Sequence, residues 1–243
     1  MNSFTRVLQA IWGLYAWLCF VLACIFSLLV TIIVPGKQRR QKLVTLASRS
    51  IFVLAGIEVN MRGQENLPAG ASVVVANHAS YIDGVLLRAY LPWRFGFVIK
   101  GEMRNIPVVH FLLRRSGAKF VERNEAAGTS RDARSLVKAA KDGASLGFFP
   151  EGTFTAEPGV VRFRPGAFVA AIRGSVPVVP IAIHGTRTML GAGRILPWRT
   201  PLTIDIQPPI NPGDPEFASN RQLAEASRQR ILAVLDEPDL VSR

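Results

Sequence analysis

The chain has 243 residues, 49% of them hydrophobic, enough to build a packed core and too apolar for wholesale disorder. It carries 29 Lys+Arg against 17 Asp+Glu, a net charge of +12, which points to a polyanionic partner such as an anionic membrane, a nucleic acid or a phosphorylated small molecule. Two cysteines exclude a disulfide scaffold and a four-cysteine zinc site, and three histidines make a histidine-rich metal site untenable.

No charge occurs between Arg6 and Lys37, and the run Val7–Val34 exceeds the ~20 residues that cross a bilayer as a helix. A signal peptide would have a shorter apolar region and a small-residue cleavage site, whereas this run ends Ile-Ile-Val-Pro-Gly. A membrane-embedded helix is therefore expected, either spanning or half-sunk as part of a hairpin. Trp12, Tyr15 and Trp17 cluster near its first end, and Lys37, Arg39, Arg40 and Lys42 follow it, which places the rest of the chain on the cytoplasmic face. Both cysteines, Cys19 and Cys24, lie within the run. From Lys37 to Val59 apolar residues recur at helical spacing among cations, predicting a basic amphipathic helix at headgroup level or one packed on the following domain. Residues 1–56 thus read as an anchor and 57–243 as a second domain.

Beyond residue 57, short β-rich runs alternate with helical ones. The strands predicted are Ser72–Ala76, Phe95–Ile99, Lys119–Glu122, Leu146–Phe149, Val176–Ile183 and Leu202–Ile206. The helices predicted are Tyr81–Tyr90, Pro107–Arg115, Thr129–Lys141, Gly166–Arg173 and Ser219–Leu235. The alternation predicts an α/β fold, with a mixed, largely parallel sheet flanked by helices. Ser72–Ala76 and Val176–Ile183 are almost purely apolar, as strands covered on both faces are.

Two segments can carry chemistry. Asn77-His78-Ala79-Ser80-Tyr81-Ile82-Asp83 follows the strand Ser-Val-Val-Val-Ala and opens a helix. His78 then sits at a strand's C-terminal end, where α/β folds place reactive groups, and imidazole exchanges protons near neutrality. Asp83 can hold that ring, or Ser80 and Asp83 can simply form a helix-capping box. Phe149-Pro150-Glu151-Gly152-Thr153 leaves another strand. It offers a carboxylate, free backbone amides and a hydroxyl to a polyol or phosphate, or it is a plain tight turn.

Other features carry less. Most of the scattered cations, Lys100, Arg114, Arg123 and Arg164 among them, are expected on solvated or membrane-facing surface. Gly143-Ala144-Ser145-Leu146-Gly147 matches the G-x-S-x-G nucleophile elbow of serine esterases, but the required strand–Ser–helix order is reversed. His110 and His184 read as structural. No nucleic-acid-binding pattern occurs, so nucleic acid is disfavoured as the partner.

Together these segments resemble the lysophosphatidic-acid acyltransferase family (1-acylglycerol-3-phosphate acyltransferases) from about Gly56 to Ile210. The N-H-x4-D block is matched by Asn77, His78 and Asp83. The K-x-E…P…G…(D/E)-R block is matched by Lys100, Glu102, Pro107, Gly117, Glu122 and Arg123. F-P-E-G-T is matched by Phe149–Thr153, and V-P-V-V-P by Val176–Pro180. The resemblance implies acyl transfer from a thioester (acyl-CoA or acyl carrier protein) to the hydroxyl of a lysophospholipid in phospholipid biosynthesis, with membrane lipids as surroundings. No metal or bound cofactor is implied. It makes His78 the general base and Asp83 its orienting partner. Glu151, Gly152 and Thr153 would position the acceptor, with Lys100, Arg123 and Arg164 near its anionic group. Members acting on phosphatidate precursors often have Arg after F-P-E-G-T, where this chain has Phe154. The acceptor is then either 1-acylglycerol-3-phosphate or another lysolipid, for example a lyso-ornithine lipid. A lipid-binding module without catalysis and an esterase using Ser145 are the readings from other classes.

Overall fold

The computed structural model describes residues 3–121 and 126–241. Helix α1 (Ser3–Ile33) is uncharged after Arg6 and has an inverted section. Its small residues Gly13, Ala16, Cys19, Ala23 and Ser27 face inward, while Leu8, Ile11, Leu14, Leu18, Leu22, Ile25 and Leu29 are exposed. Pro35-Gly36 turns the chain, with Gly36 at φ 83°, into α2 (Lys37–Leu54). That helix ends before the expected Val59. Gly56 takes φ 64°, and the Ile57 N–H reaches back to the Phe52 carbonyl at 2.9 Å, closing a Schellman-type cap. α2 packs between α1 and the domain, burying Val44, Ala47, Ile51 and Phe52.

Seven strands form one sheet: β1 (Val59–Arg62), β2 (Val73–Ala76), β3 (Gly96–Lys100), β4 (Lys119–Val121), β5 (Leu146–Phe148), β6 (Val178–His184) and β7 (Leu202–Ile206). Their order is β1-β7-β6-β2-β5-β3-β4, and every neighbouring pair is parallel except β6–β7. The mixed, largely parallel sheet expected from the alternation is thus present. β2 lies near the centre, with Val73 level with Val178 on one side and Leu146 on the other. All four of its residues are fully buried.

One face of the sheet is covered by α5 (Ala126–Lys141), α6 (Gly166–Gly174) and α8 (Asn220–Leu232), through Leu136, Ala140, Phe168, Leu223 and Ile231. The other face is covered by α3 (Asp83–Tyr90) and the short α7 (Thr186–Leu190), through Leu86, Leu87 and Met189, with Phe52 of α2 in the same cluster. Helix α4 (Pro107–Arg115) follows β3, its first turn started by Pro107.

Gly147 explains the serine-elbow match. A Cβ there would sit 2.7 Å from the Phe97 ring, so the glycine is required by close packing within β5 and its neighbour. Ser145 is buried at the start of β5, level with Ser72, whereas His78 follows the far end of β2. The two are separated by roughly 20 Å of strand. Ser145 is thus out of reach of His78, and its buried hydroxyl accepts from Arg94 Nε at 3.4 Å, which disfavours the esterase reading.

Candidate active site

Because β2 and β5 are adjacent and parallel, their C-terminal exits deliver Asn77-His78 and Phe149–Gly152 to the same edge. Asn77 is buried and clasps the Ile183 peptide of β6. Its Nδ2 donates to the Ile183 carbonyl at 3.1 Å, and its Oδ1 accepts the Ile183 N–H at 2.7 Å. This two-point bond fixes where the chain leaves the sheet, a role that sequence reasoning did not assign.

Asp83, the first residue of α3, is fully buried. Its Oδ2 accepts the His78 Nδ1–H at 2.9 Å and also the backbone N–H groups of Ala79 at 2.7 Å and Ser80 at 2.8 Å. The capping and catalytic readings of Asp83 therefore converge on one oxygen: the bonds that order the loop also aim the ring. The box itself is half-formed, since Ser80 Oγ donates to the Leu190 carbonyl at 2.6 Å and accepts from the Ile82 N–H. With a carboxylate oxygen at Nδ1, the neutral imidazole keeps its lone pair on Nε2. The His78 ring lies against Phe149 (centroids 4.3 Å apart, 22° between planes) and meets Phe154 edge-on at 4.7 Å. Phe154 in turn meets Tyr81 at 4.8 Å. The imidazole is thus fixed by one hydrogen bond and two aromatic walls.

His78 lines a cavity of about 770 Å³. The cavity runs between α1, α2, β3 and α4, and most of its wall is apolar: Phe20, Ala23, Val44, Ile51, Val98, Ile99, Val109 and Leu112. Gly152, Thr153, Phe154 and Lys100 also line it. Arg88 contributes a buried guanidinium that donates to the backbone carbonyls of Trp93, Phe95 and Ser116. Burial lowers its pKa to about 10.

Glu151, expected beside the acceptor, is buried and is not among the residues that line this cavity. Its Oε1 accepts the His78 backbone N–H at 2.7 Å and its Oε2 the Val161 N–H at 3.2 Å. Burial is the largest influence on its pKa, raising it to about 7 against the opposing pull of the two amide bonds. Its geometry is that of a residue that positions the loop carrying His78, whereas Gly152 and Thr153 line the cavity.

The cations are more dispersed than the residues that resemble the family blocks suggest. Lys100 lines the cavity with its Nζ 3.8 Å from Glu102. Arg164 is exposed, tied to the turn through its backbone N–H to the Pro150 carbonyl at 2.8 Å. Arg123 lies outside the described residues. His110 packs on Phe120 at 5.0 Å, and His184 ends β6. Among the described residues no cluster of three or more His, Cys, Asp or Glu side chains is arranged to hold a metal ion.

Comparison with known proteins agrees with this construction. The chain is 28% identical over 228 residues to a 1-acyl-sn-glycerol-3-phosphate acyltransferase of Saccharomyces cerevisiae, an alignment covering 90% of this chain and 73% of that protein. It is 29% identical over 187 residues to a chloroplastic 1-acyl-sn-glycerol-3-phosphate acyltransferase of Arabidopsis thaliana, covering 76% of this chain but 51% of the relative. The chain thus spans about half the length of that plant protein. The crystal structure of a 1-acyl-sn-glycerophosphate acyltransferase from Thermotoga maritima superposes with a TM-score of 0.77 over 93% of this chain and 94% of that one; at 24% identity the likeness is one of fold. The family model described as Acyltransferase matches residues 58–184, which hold both the His78–Asp83 pair and the Glu151 turn. The chain belongs to the Acyltransferase family.

Proposed function

We propose that this acyltransferase moves a fatty acyl group from a thioester, on coenzyme A or acyl carrier protein, to the free hydroxyl of 1-acylglycerol-3-phosphate, giving phosphatidic acid. The observation that carries the reading is the His78–Asp83 pair on the wall of a long apolar cavity. His78 Nε2 takes the proton from the acceptor hydroxyl as its oxygen attacks the thioester carbonyl. Asp83 holds the ring and balances the charge it acquires. The tetrahedral intermediate collapses with loss of the thiolate, which recovers the proton from the imidazolium, so no acyl-enzyme forms. The cavity volume is within the range of small-molecule sites, and its lining suits an acyl chain. Gly152, Thr153 and Lys100 line the same space and would meet the glycerol phosphate.

The inverted section of α1, small residues inside and large ones outside, suits a helix whose surroundings are lipid. The domain holds that helix at both ends: the Arg199 N–H donates to Gln9 Oε1, and Arg115 donates to the Thr31 carbonyl. This favours a helix lying along the domain within one leaflet. The cations that follow it, Lys37, Arg39, Arg40 and Lys42, favour the cytoplasmic leaflet.

A second reading keeps the chemistry and changes the acceptor. Phe154 sets an aromatic edge beside His78, which favours a lysolipid with a less phosphate-dependent headgroup. The test is the purified protein in vesicles, offered a panel of lysolipids with each thioester donor and with His78→Ala as the blank. Lysophosphatidic acid is expected to be the preferred acceptor, and the alanine variant to lose on the order of 10²–10⁴ in rate. Near-normal turnover by that variant refutes the base assignment. Preference for another lysolipid replaces the acceptor alone.

A further inference from the structure

We propose that the loop from Gly191 to Arg199 is a second lipid-contacting element, which seats the cavity rim on the surface of an anionic bilayer. The proposal rests on the lipid-docked α1 inferred above. The loop is tied along the first half of that helix. Trp17 Nε1 donates to the Ile195 carbonyl at 2.9 Å, and Gly13 approaches the Pro197 carbonyl so closely that a Cβ would lie 3.0 Å from it. The Arg199 N–H meets Gln9, and its guanidinium donates to the Gly56 carbonyl at 3.0 Å.

Held in this way, the loop presents an isoleucine outward. Ile195 is 81% exposed, more than any of the exposed apolar residues of α1, and its backbone is held by the Trp17 bond. An isolated exposed isoleucine needs no explanation, but this one stands on a loop bound to the apolar helix α1. Beside it Trp198 is exposed, its backbone N–H fixed on the Met189 carbonyl, with the Arg194 guanidinium 4.0 Å from its ring centre. An apolar tip flanked by a tryptophan and two arginines matches the chemistry of the interface between acyl chains and anionic headgroups. Ala192, at the start of the loop, lines the same cavity as His78. Insertion of the tip would therefore bring one rim of that cavity to the depth at which a lipid hydroxyl lies.

The test uses the full chain with Cys19 and Cys24 replaced by alanine and one new cysteine carrying an environment-sensitive fluorophore: Ile195→Cys, Leu22→Cys on the exposed face of α1, or Glu65→Cys beyond the opposite end of β2. Vesicles are phosphatidylcholine with phosphatidylglycerol, some bearing brominated acyl chains. Blue shift and bromine quenching at positions 195 and 22, with neither at 65, is the expected result. In parallel, Arg194→Gln weakens binding to these vesicles about fivefold relative to phosphatidylcholine alone. A lipid signal at 22 with a water signal at 195 overturns the loop proposal and leaves the docking of α1 intact. Water signals at both overturn the docking and the loop proposal together. A shift at 195 that grows with protein concentration in the absence of vesicles assigns the tip to a second copy of the chain and also overturns it.

Discussion

The backbone N–H of His78 donates to Glu151 Oε1 at 2.7 Å, joining residues 73 apart in sequence. The same carboxylate accepts from Val161, so one buried side chain spans the loop that carries the imidazole and the segment beyond the Pro-Glu-Gly turn. A group of this kind sets the height of the ring through the backbone.

The burial of this carboxyl has a consequence for pH. The Glu151 carboxyl titrates at about 7 in the folded chain against an ordinary 4.5, so the native state holds this proton more tightly than the unfolded one. Its contribution to stability is complete below 4.5 and is lost as pH rises towards 7, a change of roughly 3 kcal/mol. The difference in thermal midpoint between the wild type and Glu151→Gln should vary across this window and be flat above it. Calorimetry at a series of pH values measures it, and parallel curves through the window would show that burial does not govern this carboxyl.

Asp83→Asn separates charge from shape. The amide oxygen can replace Oδ2 and keep the Ala79 and Ser80 bonds, while the amide nitrogen takes the place of Oδ1, which is buried without a hydrogen-bond partner among the described residues. Turnover should fall on the order of 10²–10⁴, with a smaller loss of stability than in Asp83→Ala. Asp83→Ala, which leaves two amides unpaired, should cost about 1–3 kcal/mol for each of them as well. If Asn and Ala lose stability equally and Asn retains turnover, the residue serves only to cap α3.

Phe154→Arg tests the acceptor. An arginine at this point of the cavity wall places a cation where the wild type has an aromatic edge. One charge-assisted bond to phosphate contributes about 1.5 kcal/mol, so the KM for lysophosphatidic acid should drop about tenfold. A neutral lysolipid serves as the control. An unchanged KM for both would place the phosphate elsewhere, beside Lys100 or Arg164.

The C-terminal segment should matter more than its distance from His78 suggests. Glu237 accepts from Arg187 with both oxygens at 2.8 Å and from the Gly159 N–H, and Leu240 pairs with Val160. Val160 adjoins Val161, the second partner of Glu151. Glu237→Ala should lose about 1–3 kcal/mol, between the values for an exposed pair and a fully buried one, and kcat should fall with KM little changed. A change in KM alone would give the strap a binding role.

What the sequence reveals and what it hides follow from the range of the interactions. β2 and β6 are legible because burial on both faces leaves them apolar, but for His184 at the half-buried end of β6. The His78–Asp83 pairing is legible because five residues bring strand end and helix start together. β1 and α7 are missed: the first is an edge strand of four residues with alternating burial, the second a five-residue helix. Nor can local pattern show that β7 lies between β6 and β1, antiparallel to the first and parallel to the second, because that order depends on pairings between distant segments. The inward turn of Glu151 and the Asn77 clasp on Ile183 are hidden for the same reason. The cavity is hidden most deeply, since the small residues of α1 help to define it only once that helix packs on α2 and α4.

Arg88 fixes the bore of that cavity. One guanidinium fastens the lead-in to β3 and the end of α4 to its own helix through three carbonyls, so the walls cannot part independently. The calibre offered to a guest is thus set by a single tie-rod, and exchanging that one side chain would retune it without rebuilding the sheet.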